Sequence, residues 1–178
     1  MPDAIKLLVV DDEPDFLDTM SERLEAHGFL VTKASSGSEA IAAAHRGGFD
    51  IALVDLKMPE MDGCELLRVL REEHKFLEVI ILTGFASIDA AVECTKAGAI
   101  DFVSKSCALD DLLEKLKTAY TARLTKKFVE DRERINEINR LVSEDPLKRW
   151  KETREQWPHR PGLWSIFREL WKLDDDEK

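Results

Sequence analysis

Apolar residues along the chain fall into short, nearly continuous runs separated by longer segments of helical period. IKLLVV (5–10), FLVTKA (29–34), IALV (51–54), VIIL (79–82) and AIDFV (99–103) are of strand length and rich in β-branched residues. The near-continuous runs IKLLVV, IALV, VIIL and AIDFV read as strands buried on both faces of a parallel sheet. Between them, Phe16, Leu17, Met20 and Leu24 mark one face of a helix over residues 14–26, with Pro14 in its first turn and Gly28 as its stop. Ser36 caps a second helix through Ala40, Ile41 and Ala44, ending at Gly47-Gly48. Gly63 opens a third, with Leu66, Leu67 and Leu70 facing inward, and Ser87 caps a fourth through Ala91, Val92 and Thr95, ended by Gly98. This β-α alternation predicts right-handed crossovers and an α/β, doubly wound parallel sheet of five strands.

Polar residues stand where the runs end: Asp11-Asp12, Asp55, Thr83 and Lys105. In open α/β sheets ligands bind outside the carboxyl ends of the strands, so these residues are delivered to one rim. Two like charges about 4 Å apart repel by roughly 4 kcal/mol at an effective dielectric near 20. Gathered carboxylates therefore call for a cation. Oxygen-only donors suit a hard divalent ion that keeps several waters, which points to Mg²⁺, and His27, His45, His74 and His159 all fall away from this rim. Lys105 carries a positive charge suited to an anionic oxygen. Thr83 offers a hydroxyl, and Gly84 leaves its backbone N–H open to approach. Metal, ammonium and donors around one carboxylate are what an aspartyl phosphate requires.

Charge is unevenly spread. Residues 1–121 hold 12 Lys and Arg against 23 Asp and Glu, whereas residues 122–178 hold 14 against 13. An acidic first part and a nearly balanced tail argue against nucleic acid as the partner. Cys64, Cys94 and Cys107 form no C-x-x-C pair, which predicts structural thiols in a reducing compartment. A chain without a charged-then-apolar leader or an apolar run of membrane length is expected to be cytoplasmic.

The motifs VVDDEP (9–14), VDLKMPEMDG (54–63), LTGFAS (82–87) and DFVSK (101–105) resemble those of the receiver domain of bacterial two-component response regulators, in order and at fitting spacing. The resemblance spans residues 4 to 121 and implies the flavodoxin-like strand order 2-1-3-4-5. It implies that Asp55 accepts a phosphoryl group from the phosphohistidine of a sensor histidine kinase or phosphotransfer protein. It implies Mg²⁺ binding by Asp11, Asp12 and Asp55 with the backbone carbonyl of Lys57, and contacts of Thr83 and Lys105 to the phosphoryl oxygens. Phe102 matches the family's switch aromatic. The family has proline after the lysine, often through a cis bond; here Ser106 follows Lys105, so a trans or strained bond is expected. Lys57 and Phe85, two residues beyond Asp55 and Thr83, are placed to govern water access.

The chain divides into a receiver domain (1–121) and a helical extension (122–178). From Leu109 the last helix is expected to overrun the domain, with Leu113, Leu116, Tyr120, Leu124, Phe128, Ile135, Ile138 and Val142 near a 3-4 spacing that Asp131 interrupts. This reads as a coiled-coil-like stalk to residue 144, able to pair two copies of the chain. Beyond it Trp150, Trp157, Trp164 and Trp171 recur every seven residues, but Pro158, Pro161 and Gly162 exclude one continuous helix. LWSIFRELWKL (163–173) is amphipathic and needs a cover, for which the stalk, a second subunit or a partner groove is favoured over a membrane surface. The leading reading is a phosphorylation-dependent switch signalling through contacts with a downstream protein, not an enzyme turning over metabolites. The alternative is an assembly adaptor whose tryptophan-bearing tail is the main binding element.

Overall fold

A computed structural model describes residues 4–84 and 88–143, with side chains except at 88–90 and 140–143. Strand and helix alternate: β1 (Lys6–Val10), α1 (Pro14–Glu25), β2 (Leu30–Ala34), α2 (Gly37–Arg46), β3 (Ile51–Asp55), α3 (Gly63–Glu73), β4 (Glu78–Thr83), α4 (Ile88–Ala97), β5 (Asp101–Ser104) and α5 (Leu109–Ser143). The strands are all parallel in the order β2-β1-β3-β4-β5. This is the doubly wound topology expected from the alternation, and order reverses beside β1 and β3, where a binding crevice forms.

Period-two alternation sends the side chains of each central strand to two cores. Leu8, Val10, Ala52, Val54, Val79 and Ile81 pack with Ala40 and Ala44 of α2, Leu66, Leu67 and Leu70 of α3, and Cys94 of α4. Leu7, Val9, Ile51, Leu53, Ile80 and Leu82 pack with Leu17, Met20 and Leu24 of α1 and Leu112, Leu116 and Ala119 of α5. Burial on both faces holds for β3 and β4 and for all but the first residue of β1. It fails for β5, where Asp101 and Phe102 are partly exposed and Ser104 fully so. The reason is position: β5 is an edge strand with a neighbour on one side only.

Local signals fix the helix starts. Pro14 occupies the first turn of α1, and Ser36 Oγ accepts from Glu39 N at 3.2 Å to open α2. At α3, Asp62 accepts from Glu65 N at 2.8 Å while the Glu65 carboxylate accepts from Asp62 N at 3.2 Å, a reciprocal capping box. Cys64 of α3 and Cys94 of α4 are joined in a disulfide with Cα atoms 5.3 Å apart, in place of the thiols their spacing predicts. Helix packing brings together cysteines 30 residues apart, which no local motif announces. Cys107 remains a thiol.

The overrun of α5 holds the amino-terminal edge of the sheet. Arg123 Nη2 lies 2.8 Å from Asp50 Oδ1, and Lys126 Nζ lies 2.5 Å from Glu78 Oε1. Glu78 is only 1% exposed, and its second oxygen lies 3.5 Å from Arg71 Nη1. A compact unit runs through Glu130, and a second covers Asp131–Lys178. Removing Lys126 would leave the buried Glu78 carboxylate to the longer Arg71 contact, so its charge would be less well compensated. Lys126→Ala is therefore expected to destabilise the fold by about 1–3 kcal/mol in urea unfolding, and Lys127→Ala, at an exposed neighbouring position, to have little effect. Equal midpoints for the two variants would contradict the role given to Lys126. The tryptophans at 150, 157, 164 and 171, the 163–173 segment, Phe85, Ser87 and the side chain of Val142 lie outside what is described.

Candidate functional site

Register brings the polar strand ends together. Val10 pairs with Val54, Asp55 with Leu82 and Thr83 with Ser104, so Asp11, Asp55, Thr83 and Lys105 follow one another across four adjacent strands. Backbone bonds continue the ladder into the loops: Asp11 N to Ala34 O at 3.1 Å, Leu56 N to Leu82 O at 2.9 Å, and Lys105 N to Thr83 O at 2.9 Å. Asp11, Asp55 and Thr83 are buried, and Asp12 is partly exposed at the rim. One carboxylate oxygen from each of Asp11, Asp12 and Asp55 lies within 4.8 Å of the others.

Lys105 centres the cluster. Its Nζ is 2.8 Å from Asp11 Oδ2, 2.8 Å from Glu13 Oε1 and 3.3 Å from Asp55 Oδ2. The same ammonium stands 4.7 Å from the centre of the Phe16 ring, a cation–π contact. Burial works against the charge on Lys105, but hydrogen bonds to Asp11 and Glu13, and the field of Asp11 and Asp55, hold its pKa well above the usual lysine range. Asp55 is shifted upward: burial raises its pKa first, Lys105 pulls it back, and Asp11 adds to the rise. The backbone N–H of Lys57 donates to the Asp55 carboxyl and favours its charged form.

The loop from β3 to α3 closes tightly behind Asp55. Gly63 N donates to Leu56 O at 2.9 Å, and a Cβ placed on Gly63 would sit 2.3 Å from the Asp55 carbonyl oxygen. In the same loop Glu60 takes a left-handed backbone at φ 68°. After β5, Ser106 is accommodated without a cis bond, since every described peptide bond is trans. The Ser104 and Ser106 hydroxyls are 2.8 Å apart, and Ser106 N donates to Ser104 Oγ at 3.2 Å. A proline has no N–H to make that second bond. Phe102 packs partly buried against the core shared by Val54 and Ile81.

Glu13 and Phe16 are the members of the site that the strand-end pattern leaves out. Both sit at the start of α1, and Asp11 Oδ1 accepts from Glu13 N at 3.0 Å to turn the chain there. The DDEP run is the only local hint that an acid at position 13 faces the rim.

Residues 7–117 match the family model described as the response regulator receiver domain. The chain belongs to that family. It is 36% identical over 115 residues to the transcriptional regulatory protein ZraR of Salmonella typhimurium, covering 65% of this chain and 26% of the relative. Over 113 residues it is 34% identical to the probable transcriptional regulatory protein TcrX of Mycobacterium tuberculosis, covering 64% of this chain and 48% of the relative. The chain thus spans from about a quarter to a half of these relatives. A CheY-like receiver domain from Methanospirillum hungatei superposes with a TM-score of 0.66 at 32% identity, covering 69% of this chain and 98% of that one. The response regulator TrrA of Thermotoga maritima, solved with Mg²⁺ and BeF, superposes with a TM-score of 0.60 at 31% identity, over 65% of this chain and 98% of TrrA. Receivers of this family are signalling phosphoacceptors rather than conventional enzymes, and they interact with histidine kinases or phosphotransfer proteins. Among the described residues no helix is long and apolar enough to cross a membrane.

Proposed function

We propose that Asp55 is the phosphoacceptor of this receiver. The observation that carries the reading is a buried carboxylate at the centre of the strand ends, with Asp11 and Asp12 beside it and Lys105 3.3 Å away. The phosphodonor is the phosphohistidine of a sensor histidine kinase or phosphotransfer protein. An Asp55 carboxylate oxygen forms the new bond to phosphorus while the phosphorus–nitrogen bond breaks, and imidazole leaves with the electron pair. Lys105 and Thr83 hold the phosphoryl oxygens, and the N–H of Lys57 orients the attacking carboxylate. The rim thus promotes only its own phosphorylation and dephosphorylation.

The donor set of Asp11, Asp12 and Asp55 is all oxygen and partly buried, which fits Mg²⁺ and does not favour softer ions. These residues would hold the ion together with the Lys57 carbonyl, and bound there it would offset negative charge on the phosphoryl oxygens. Lys105 already neutralises part of the cluster, so the ion and the ammonium share the field of the same carboxylates.

Thr83 drawn toward a phosphoryl oxygen opens space toward β5, into which Phe102 can turn. Moving such an equilibrium from 1:99 to 99:1 takes about 5.5 kcal/mol of differential interaction. Hydrogen bonds to charged groups contribute roughly 1.5–3 kcal/mol each, so a few suffice. The readout is a protein contact, in the cytoplasm where kinase phosphodonors reside. The exposed Leu124, Phe128, Ile135 and Ile138 of α5 support pairing of two chains through this helix, with residues 1–121 as receiver and 122–178 as extension. An assembly adaptor is the second reading, favoured by the same exposed stripe.

Incubation with a small acyl phosphate tests the proposal by intact-protein mass. One added phosphoryl group is expected with Mg²⁺ present and a large loss of labelling with a chelator. Equal labelling in both would contradict a metal-assisted Asp55 site.

A further inference from the structure

At the end of the fold remote from Asp55, α2 and α3 finish side by side. His45 lies in the last turn of α2, Glu73 is the last residue of α3, and His74 is its C-cap. His45 Nε2 is 2.7 Å from Glu73 Oε2, and the two imidazole rings have centroids 6.0 Å apart at 46°. One ring nitrogen from each histidine and one oxygen of Glu73 all fall within 4.8 Å of one another. His74 Nε2 is buried with no hydrogen-bond partner.

We infer that His45, Glu73 and His74 form a second metal site, distinct from the acidic rim, that takes Zn²⁺. A hydrogen bond between the helices accounts for His45 and Glu73 but leaves His74 Nε2 without a partner. Two imidazoles and a carboxylate are a borderline-soft donor set that suits Zn²⁺ and not Mg²⁺, and three protein ligands leave a fourth position for water. Tetrahedral Zn²⁺ with bonds of about 2.0–2.2 Å needs only short adjustments from the present spacing. His45 and Glu73 have the freedom to make them, with side chains 55% and 43% exposed. Both helices also direct the negative ends of their dipoles here, which favours a cation. The 11-residue α3 separates the site from Gly63 by about 16 Å along its axis, so the two metal sites are independent in their ligands. The metal would staple the α2 end to the α3 end.

Titration of the full chain with Zn²⁺ alone, in excess Mg²⁺ to occupy the rim, tests the inference. One saturable equivalent is expected to be lost or weakened at least about tenfold in His45→Ala and separately in His74→Ala. Co²⁺ used as a spectroscopic probe is expected to give visible d–d bands without thiolate charge transfer, separating this site from the cysteines. His45 is exposed, so its replacement leaves the fold intact, and circular dichroism checks this. No saturable binding, binding unchanged in both variants, or a thiolate charge-transfer band would each overturn the site.

Discussion

Asp55→Asn is expected to accept no phosphoryl group and, at neutral pH, to be more stable than the wild type. The first effect follows from chemistry: an amide oxygen is a poor nucleophile, and Asp55 is the buried carboxylate that ends the central strand β3, between Asp11 beyond β1 and Thr83 of β4. The second follows from electrostatics. Burial and the nearby Asp11 raise the Asp55 pKa in the fold above its ordinary value, despite the pull of Lys105. A group whose folded pKa is raised contributes its stability fully below the unfolded value, and that contribution is lost as pH rises through the folded pKa. At neutral pH the ionised Asp55 therefore weakens the fold relative to a neutral isostere. The thermal midpoint of Asp55→Asn is expected a few degrees higher at neutral pH, with the gap narrowing as pH falls toward the ordinary aspartate range. A midpoint lower than wild type at neutral pH would mean that the Lys105 ion pair outweighs burial. Added Mg²⁺ is expected to raise the wild-type midpoint more than that of the variant, because the variant lacks one of the three carboxylates.

Gly63→Ala is expected to be the most damaging single methyl in the domain. The added Cβ would meet the Asp55 carbonyl oxygen at 2.3 Å, Leu56 Cα at 2.9 Å and the Asp55 carbonyl carbon at 3.0 Å. These are backbone atoms of the strand end that carries the site, so no side-chain rotation relieves the clash. α3 has to move away from β3, disturbing both the Asp62–Glu65 capping box and the aim of Asp55. A cost of about 1–3 kcal/mol is usual for overpacking, and a backbone clash belongs at or above the upper end. Urea unfolding is expected to show that loss together with slower phosphoryl incorporation. Gly48→Ala, at a position with nothing within 4 Å, is the control expected to change little. Comparable stability for the two variants would remove the claim that Gly63 is the close-approach point.

The rim was legible from sequence because its residues follow strands whose apolar runs are almost uninterrupted, so the site could be placed before any contact was known. The doubly wound parallel sheet followed from the same alternation, the helix starts from Pro14, Ser36 and Gly63, and the strand order from the resemblance to receiver domains. What the pattern hid depends on contacts between distant elements. Glu13 joins Lys105 across 92 positions, and Glu78 meets Lys126 across 48. Glu78 is hidden for a further reason: a buried acid at a strand start looks like an ordinary surface residue until its partners arrive from α3 and α5. The Cys64–Cys94 link likewise depends on packing between two helices rather than on motif spacing. Partial exposure of β5 is a matter of strand order, since composition alone cannot tell an edge strand from a central one.

Mapping the phosphoryl group tests the central claim most directly. The wild-type chain is treated with Mg²⁺ and an acyl phosphate, trapped with borohydride, digested with trypsin and sequenced by fragmentation. The expected product is a single modification in the peptide of residues 47–57, on Asp55 and not on Asp50. A modification on Asp11, Asp12 or Asp50, or one that persists in Asp55→Asn, would contradict the assignment of Asp55 as phosphoacceptor.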